Sequence, residues 1–177
     1  MVNNLKIYKK FNLPKKDKGA IILIGNFDGL HRGHQKLFNK AQSFKKKFKL
    51  RIGVITFDPI PKMFFKKLYN YRLSNFDQKI QLLKKSNVDF IINKKFNTKF
   101  SKINCIDFIK KILFKRIQPK YIFVSHNFRF GYKRAGDIKL LKTLEKDYDY
   151  KIINPSPLKT KNFVISSTLI RKNLEKG

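Results

Sequence analysis

The stretch Ala20-Ile21-Ile22-Leu23-Ile24-Gly25-Asn26-Phe27-Asp28-Gly29-Leu30-His31-Arg32-Gly33-His34-Gln35 decides how the rest of the chain is read. It opens with an unbroken apolar run, passes through two glycines and leads into a segment of helical spacing. That order is strand, glycine-bearing turn, helix start. His31 and His34, three apart, occupy neighbouring positions on the first helical turn. There the leading backbone N–H groups have no intrahelical acceptor and the helix dipole is positive. The junction is an anion site with two imidazoles beside it, suited to nucleotide phosphates, and Gly29 and Gly33 permit close backbone approach.

Outward from this unit, apolar runs alternate with helical segments, the pattern of a parallel sheet wrapped by helices. Strands are expected up to residue 24 and at 52–57, 88–92, 121–124 and 151–153, about five in all. Helices are expected at about 31–48, 74–85, 104–117, 137–145 and 167–174. Ser74 with Asp77 three residues on resembles a capped start for the second helix. Pro59 and Pro61 end the second strand and force an extended loop. In such sheets ligands bind outside the carboxyl ends of the strands. The segments 25–34, 57–61, 127–134 and 166–171 follow strands in this reading and face one cleft.

At 177 residues and 21.1 kDa the chain fits one globular domain. Its 42% hydrophobic content, with 18 Phe, is enough to fold and excludes a disordered chain. Lys and Arg number 42 against 11 Asp and Glu, a net charge of +31. The basic residues are spread along every helix instead of forming one arm, so they read either as a solvated coat or as a field that steers anionic substrates. Cys105 stands alone and forms no internal disulfide, which fits a reducing cytoplasm. No apolar run approaches the roughly 20 residues a membrane span needs, and residues 1–10 lack the apolar core of a signal peptide.

Three further constellations carry chemistry. Three histidines and one cysteine are too few for an ordinary zinc site, so no metal ligand set is expected. Ser166, Ser167 and Thr168 put hydroxyls at a helix start, and a plain N-cap explains Ser167 or Thr168 without any ligand. Arg171, one turn on, adds the means to clamp the outer phosphates of a triphosphate. Asn127-Phe128-Arg129-Phe130-Gly131, followed by Lys133, Arg134, Gly136 and Asp137, is either strand continuation or an aromatic wall for a flat ring. In the second case Asn127 offers donor and acceptor to the ring's polar edge. Phe57-Asp58-Pro59-Ile60-Pro61 would be the opposing loop, with Phe64 or Phe65 closing over the ring.

Taken together, Gly25–Gln35, Thr56–Pro61, Asn127–Gly131 with Arg134–Asp137, and Ile165–Arg171 closely resemble the adenylyltransferase module of bacterial bifunctional riboflavin kinase/FAD synthetases. The likeness runs from about Gly19 onward. It implies a Rossmann-like nucleotidylyltransferase fold and the reaction FMN + ATP → FAD + pyrophosphate, with magnesium carried by ATP. On the resemblance, His31, His34 and Arg171 would be catalytic, and Gly25, Phe27, Asp28, Gly33, Ser167 and Thr168 would complete the ATP site. Pro59, Phe65, Asn127, Phe130 and Arg134 would bind the flavin. Ile60 stands where the family commonly has histidine, and Ser125 where it commonly has glycine. The chain stops at Gly177, where the bifunctional family begins its kinase domain, so a separate riboflavin kinase is expected to supply FMN. A monomer without specific nucleic acid or membrane partners is expected. The alternatives are another adenylyltransferase of the superfamily, acting on phosphopantetheine or nicotinate mononucleotide, and a basic RNA-binding module.

Overall fold

Residues 5–160 and 163–175 are described by a computed structural model. The strands, in chain order, are β1 (Lys6–Tyr8), β2 (Ile21–Ile24), β3 (Ile52–Asp58), β4 (Phe90–Lys95), β5 (Tyr121–Phe123), β6 (Arg129–Phe130), β7 (Gly136–Asp137), β8 (Lys151–Ile153), β9 (Lys159–Thr160) and β10 (Phe163–Val164). Six of them form one sheet in the order β1-β4-β3-β2-β5-β8, with every pair parallel. The helices are α1 (Arg32–Phe48), α2 (Pro61–Lys66), α3 (Phe76–Lys85), α4 (Thr98–Ser101), α5, α6 (Ile138–Thr143) and α7 (Ser167–Leu174). Helix α5 starts at Cys105–Asp107 and continues with π winding over Phe108–Ile117.

Why β2 is a continuous apolar run follows from its two buried faces. Side chains alternate across a strand, so Ile22 and Ile24 join one core with α5 and α6, while Ile21 and Leu23 join a second core with α1 and α3. The first core holds Phe108, Ile109, Ile112, Leu113 and Leu141, and the second Leu37, Phe38, Ala41 and Leu83. From β2 the chain moves outward through β3 and β4 on one side, then returns to build β5 and β8 on the other. The order therefore reverses between β2 and β5, and the crevice beyond their carboxyl ends is where such a sheet binds ligands.

The sheet has six strands where sequence alternation gives five. The addition, β1, pairs with β4 at the edge; at three residues it is too short to show a period, and it is anchored from outside the sheet. Tyr8 donates to the buried Asp17 carboxylate at 2.6 Å, and Arg51 pairs with the same group at 2.9 Å. Burial and that carboxylate push the Tyr8 phenol up to about 12. A second correction concerns α3. Its cap is Asn75, which accepts from the Gln78 amide at 2.8 Å while the Gln78 side chain accepts from the Asn75 amide at 2.9 Å. Ser74 lies just before the helix, buried and turned to another task. Helix α6 begins as expected at the Asp137 cap, which accepts from Leu140 N at 3.0 Å.

At the centre of the sheet, Gly53 is held to its size. A Cβ there would lie 2.2 Å from the Phe90 ring and 2.9 Å from the Ile22 methyl. Gly53→Ala should cost about 1–3 kcal/mol of stability by overpacking, a fall of roughly 2–4 °C per kcal/mol in the thermal midpoint. Calorimetric melting of the two proteins checks this.

Candidate active site

The loop leaving β2 is wound tightly. Phe27 (φ 49°), Gly29 (φ 71°) and Leu30 (φ 38°) all take the left-handed conformation, which costs free energy for the two non-glycine residues. A Cβ at Gly29 would sit 3.0 Å from Leu73 Cβ, so only glycine fits the turn without displacement. The strain is offset by a dense set of bonds. Asp28, 2% exposed, accepts from Leu73 N at 3.0 Å, Ser74 N at 3.1 Å and Ser74 Oγ at 3.4 Å, and it pairs with Arg171. Gly29 N donates to Ser74 Oγ at 3.2 Å, and Ser167 Oγ donates to the Asp28 carbonyl at 3.2 Å. Behind the loop, Thr56 Oγ1 donates to the Asn26 carbonyl at 3.1 Å and accepts from the buried Lys79 ammonium at 3.4 Å. Burial lowers the Lys79 pKa, with Arg72 adding to the shift against Asp28 and Asp58.

His31 caps α1, its Nδ1 accepting from the His34 amide at 3.4 Å. That bond leaves the proton of the neutral ring on Nε2. The two imidazoles stack with centroids 3.8 Å apart and planes 21° off parallel. Phe27, 1% exposed, meets His34 edge-on at 5.3 Å and Phe38 at 5.1 Å. Burial, reinforced by the neighbouring His31, pushes His34 down to about 3. Burial also lowers His31, Arg171 adding to the shift and Asp28 opposing it. Both rings are neutral near pH 7. The buried Nδ1 of His34 has no partner among the described residues, an orphaned polar atom at the edge of a cavity. A Cβ at Gly33 would lie 2.9 Å from the Ile165 carbonyl and 3.1 Å from the His31 ring, so glycine lets the segment before α7 approach the start of α1.

These groups line a cleft of about 940 Å³ at the carboxyl ends of β2, β3, β4 and β5, near the upper end of the roughly 300–1,000 Å³ range of small-molecule sites. All four predicted segments contribute to it. One end is polar, with His31, His34, Lys36, Ser166, Ser167, Thr168 and Arg171; the other is aromatic, with Phe57, Phe96, Phe100, Phe108, Phe128 and Phe130. Phe128 and Phe130 stack at 5.6 Å, and Phe100 lies edge-on to Phe96 at 5.7 Å and to Phe108 at 6.5 Å. Gly131, at φ 74°, turns the β6–β7 hairpin back against α5; a Cβ there would strike Cys105 N at 2.7 Å.

The predicted residues divide on inspection. Gly25, His31, Gly33, His34, Ser167, Thr168, Arg171, Asn127, Phe130 and Arg134 are brought together around the cleft. Asn127 Oδ1 accepts from Ser125 Oγ at 3.0 Å. Phe65 sits at the rim, 65% exposed, against Phe64 and Phe96. Pro59 does not line the cleft: Ile60, 2% exposed because it is the apolar residue of that turn, and Pro61 take the inward place. Phe27 and Asp28 also line the cleft but are almost fully buried, the ring packed against Gly25, His34 and Phe38 and the carboxylate met by amide, hydroxyl and guanidinium donors. Segment 166–171 follows the β9–β10 hairpin and not a strand of the main sheet. Sequence reading missed Phe96 and Phe100, although their place just past the carboxyl end of β4 was a usable signal. It also missed Tyr71, which lies in irregular chain with no local pattern.

The sequence profile of the FAD synthetase family matches residues 13–169. The chain is 39% identical over 167 residues to the bifunctional riboflavin kinase/FMN adenylyltransferase of Buchnera aphidicola subsp. Acyrthosiphon pisum, covering 94% of this chain and 53% of that protein. Identity to the Escherichia coli K12 protein of the same description is 32%, covering 89% and 50%. Identity to the FAD synthetase of Listeria monocytogenes is also 32%, covering 93% and 67%. The chain thus spans about half the length of the bifunctional relatives it matches. Among solved structures, one described as a macrolide-efflux protein from Streptococcus pneumoniae has a TM-score of 0.79 at 26% identity, covering 95% of this chain and 56% of that one. Pantoate-beta-alanine ligase from Francisella tularensis, at TM-score 0.62, 19% identity and coverage of 94% and 73%, shares the fold. With its glycine turn, paired histidines and Ser166-Ser167-Thr168 helix start inside the matched span, the chain belongs to the FAD synthetase family.

Proposed function

We propose that this cleft binds MgATP and FMN and transfers the adenylyl group, giving FAD and pyrophosphate. The observation that carries the reading is the stacked neutral pair His31–His34 at the start of α1, facing a cleft whose far end is an aromatic wall. The polar end suits a triphosphate and the aromatic end suits an isoalloxazine ring. The names of the relatives support the same assignment.

The chemistry asks little proton transfer of the protein. The nucleophile is a phosphate oxygen of FMN, already ionised near neutral pH, so no general base is needed. As that oxygen bonds to the α-phosphorus, the bond from the α-phosphorus to the bridging β-oxygen breaks and pyrophosphate departs with its electrons. Catalysis is alignment together with neutralisation of charge on the leaving group. The His31 Nε2–H, the leading amides of α1 and Arg171 are donors for that charge. Neutral imidazoles supply N–H groups without first having to lose water around a full charge. Magnesium enters as part of the nucleotide substrate. FMN comes from a riboflavin kinase activity outside these residues, and the lone Cys105 fits a cytoplasmic setting.

Incubation with MgATP and either FMN or riboflavin, followed by separation of the flavins, should give FAD from FMN and nothing from riboflavin; no FAD from FMN would overturn the reading. His31→Ala should lower turnover about 10²–10³-fold while the far-ultraviolet dichroism stays unchanged. The depressed His34 pKa also has a sign. Between the ordinary value of 6.5 and about 3 the unfolded chain binds a proton that the folded protein refuses, so this contribution to stability falls as the pH drops through that window. Melting temperatures from pH 7 to 4 should fall more steeply for the wild type than for His34→Gln.

A further inference from the structure

Arg171 is held by two partners, the buried Asp28 carboxylate and Tyr71, which lies 100 positions away in the irregular segment before α3. The Tyr71 carbonyl accepts from Nε at 2.7 Å, its Oη accepts from Nη1 at 3.0 Å, and its ring lies 3.8 Å from the guanidinium carbon. Asp28 takes a hydrogen of Nη2. A guanidinium has five N–H donors: one on Nε and two on each η nitrogen. Three are committed, so one remains on Nη1 and one on Nη2. Those two share the fork that meets a pair of phosphate oxygens. Asp28 alone would neutralise the charge but leave the plane free to turn about a single bond. Tyr71 fixes that plane through two atoms and a face. Lys62, which also lines the cleft, has its ammonium 4.7 Å from the same ring, so two cations converge on one aromatic group beside the cavity. An arriving polyanion relieves their mutual repulsion.

We infer that Tyr71 is a positioning residue that holds Arg171 in the plane from which its two remaining N–H groups grip the polyphosphate of ATP. The inference rests on the adenylyl-transfer reading for the identity of the anion. Tyr71 also borders the cleft, and its effect on the anion passes through Arg171, whose guanidinium its ring, Oη and carbonyl engage.

The test is the MgATP dissociation constant by calorimetry without FMN, together with KM for both substrates. Tyr71→Leu should weaken MgATP binding about ten-fold, from loss of the ring and the Oη bond, and leave KM for FMN within two-fold. Tyr71→Phe keeps the ring and the carbonyl and loses only the Oη bond, so it should weaken MgATP binding about three-fold. In an Arg171→Lys background the Tyr71→Phe effect should vanish, because residues that act through one contact are not additive; this cycle decides the matter even if the leucine variant fails to fold. MgATP affinity unchanged in Tyr71→Leu, equal rises in both KM values, or additive losses in the double variant would overturn the inference. A wild-type protein that binds MgATP yet makes no FAD from FMN would overturn the adenylyl-transfer reading instead, with the Tyr71 comparison still read on MgATP affinity.

Discussion

Everything at the mouth of the sheet depends on one buried carboxylate. Asp28 joins three pieces of chain far apart in sequence: the loop after β2, the segment at Leu73 and Ser74, and Arg171 of α7. A buried charge is tolerable only when it is paired and hydrogen-bonded, and here both amide donors and a guanidinium meet it. Because those partners must be present for the loop to hold its left-handed turns, the polar end of the cleft assembles as a unit or not at all. Removing the carboxylate would leave Arg171 buried and uncompensated, a cost of a few kcal/mol.

How much of this could be read from the chain depends on whether each feature is local. The run Ala20–Ile24 and the glycines after it declare strand and turn within a dozen residues, and the two histidines announce the helix start. The four cleft segments were legible because each carries its own composition. What escaped was set by partners distant in sequence or by lengths too short for a period. β1 is held by Asp17 and Arg51; Tyr71 meets Arg171 a hundred positions on. The cap of α3 was misplaced by one residue because Ser74 and Asn75 are both good caps, and only the demand of Asp28 for a hydroxyl and an amide separates them. The apolar spacing of α5 fits an ordinary helix, so nothing in it declares the π winding.

The basic coat also takes on meaning once the acids are located. Eight of the eleven acidic residues sit in ion pairs: Asp17, Asp28, Asp58, Asp89, Asp107, Asp137, Glu145 and Asp149. All eleven are already counted against the 42 cations, so the surplus of 31 positive charges has no counterpart in the chain. The field outside the cleft is positive on balance and attracts anions, more strongly at low salt.

Helix α7 has no fully buried residue, and among the described residues the two strands before it ladder only with each other. Oriented polar bonds from Ser167 and Arg171 attach the helix, beside the half-buried Leu169 and Ile170. Local opening of this wall would uncover less hydrocarbon than opening of the sheet, so its heat capacity change is smaller and its free energy curves less with temperature. On warming or cooling, this wall of the cleft follows a gentler law than the core on which it is mounted.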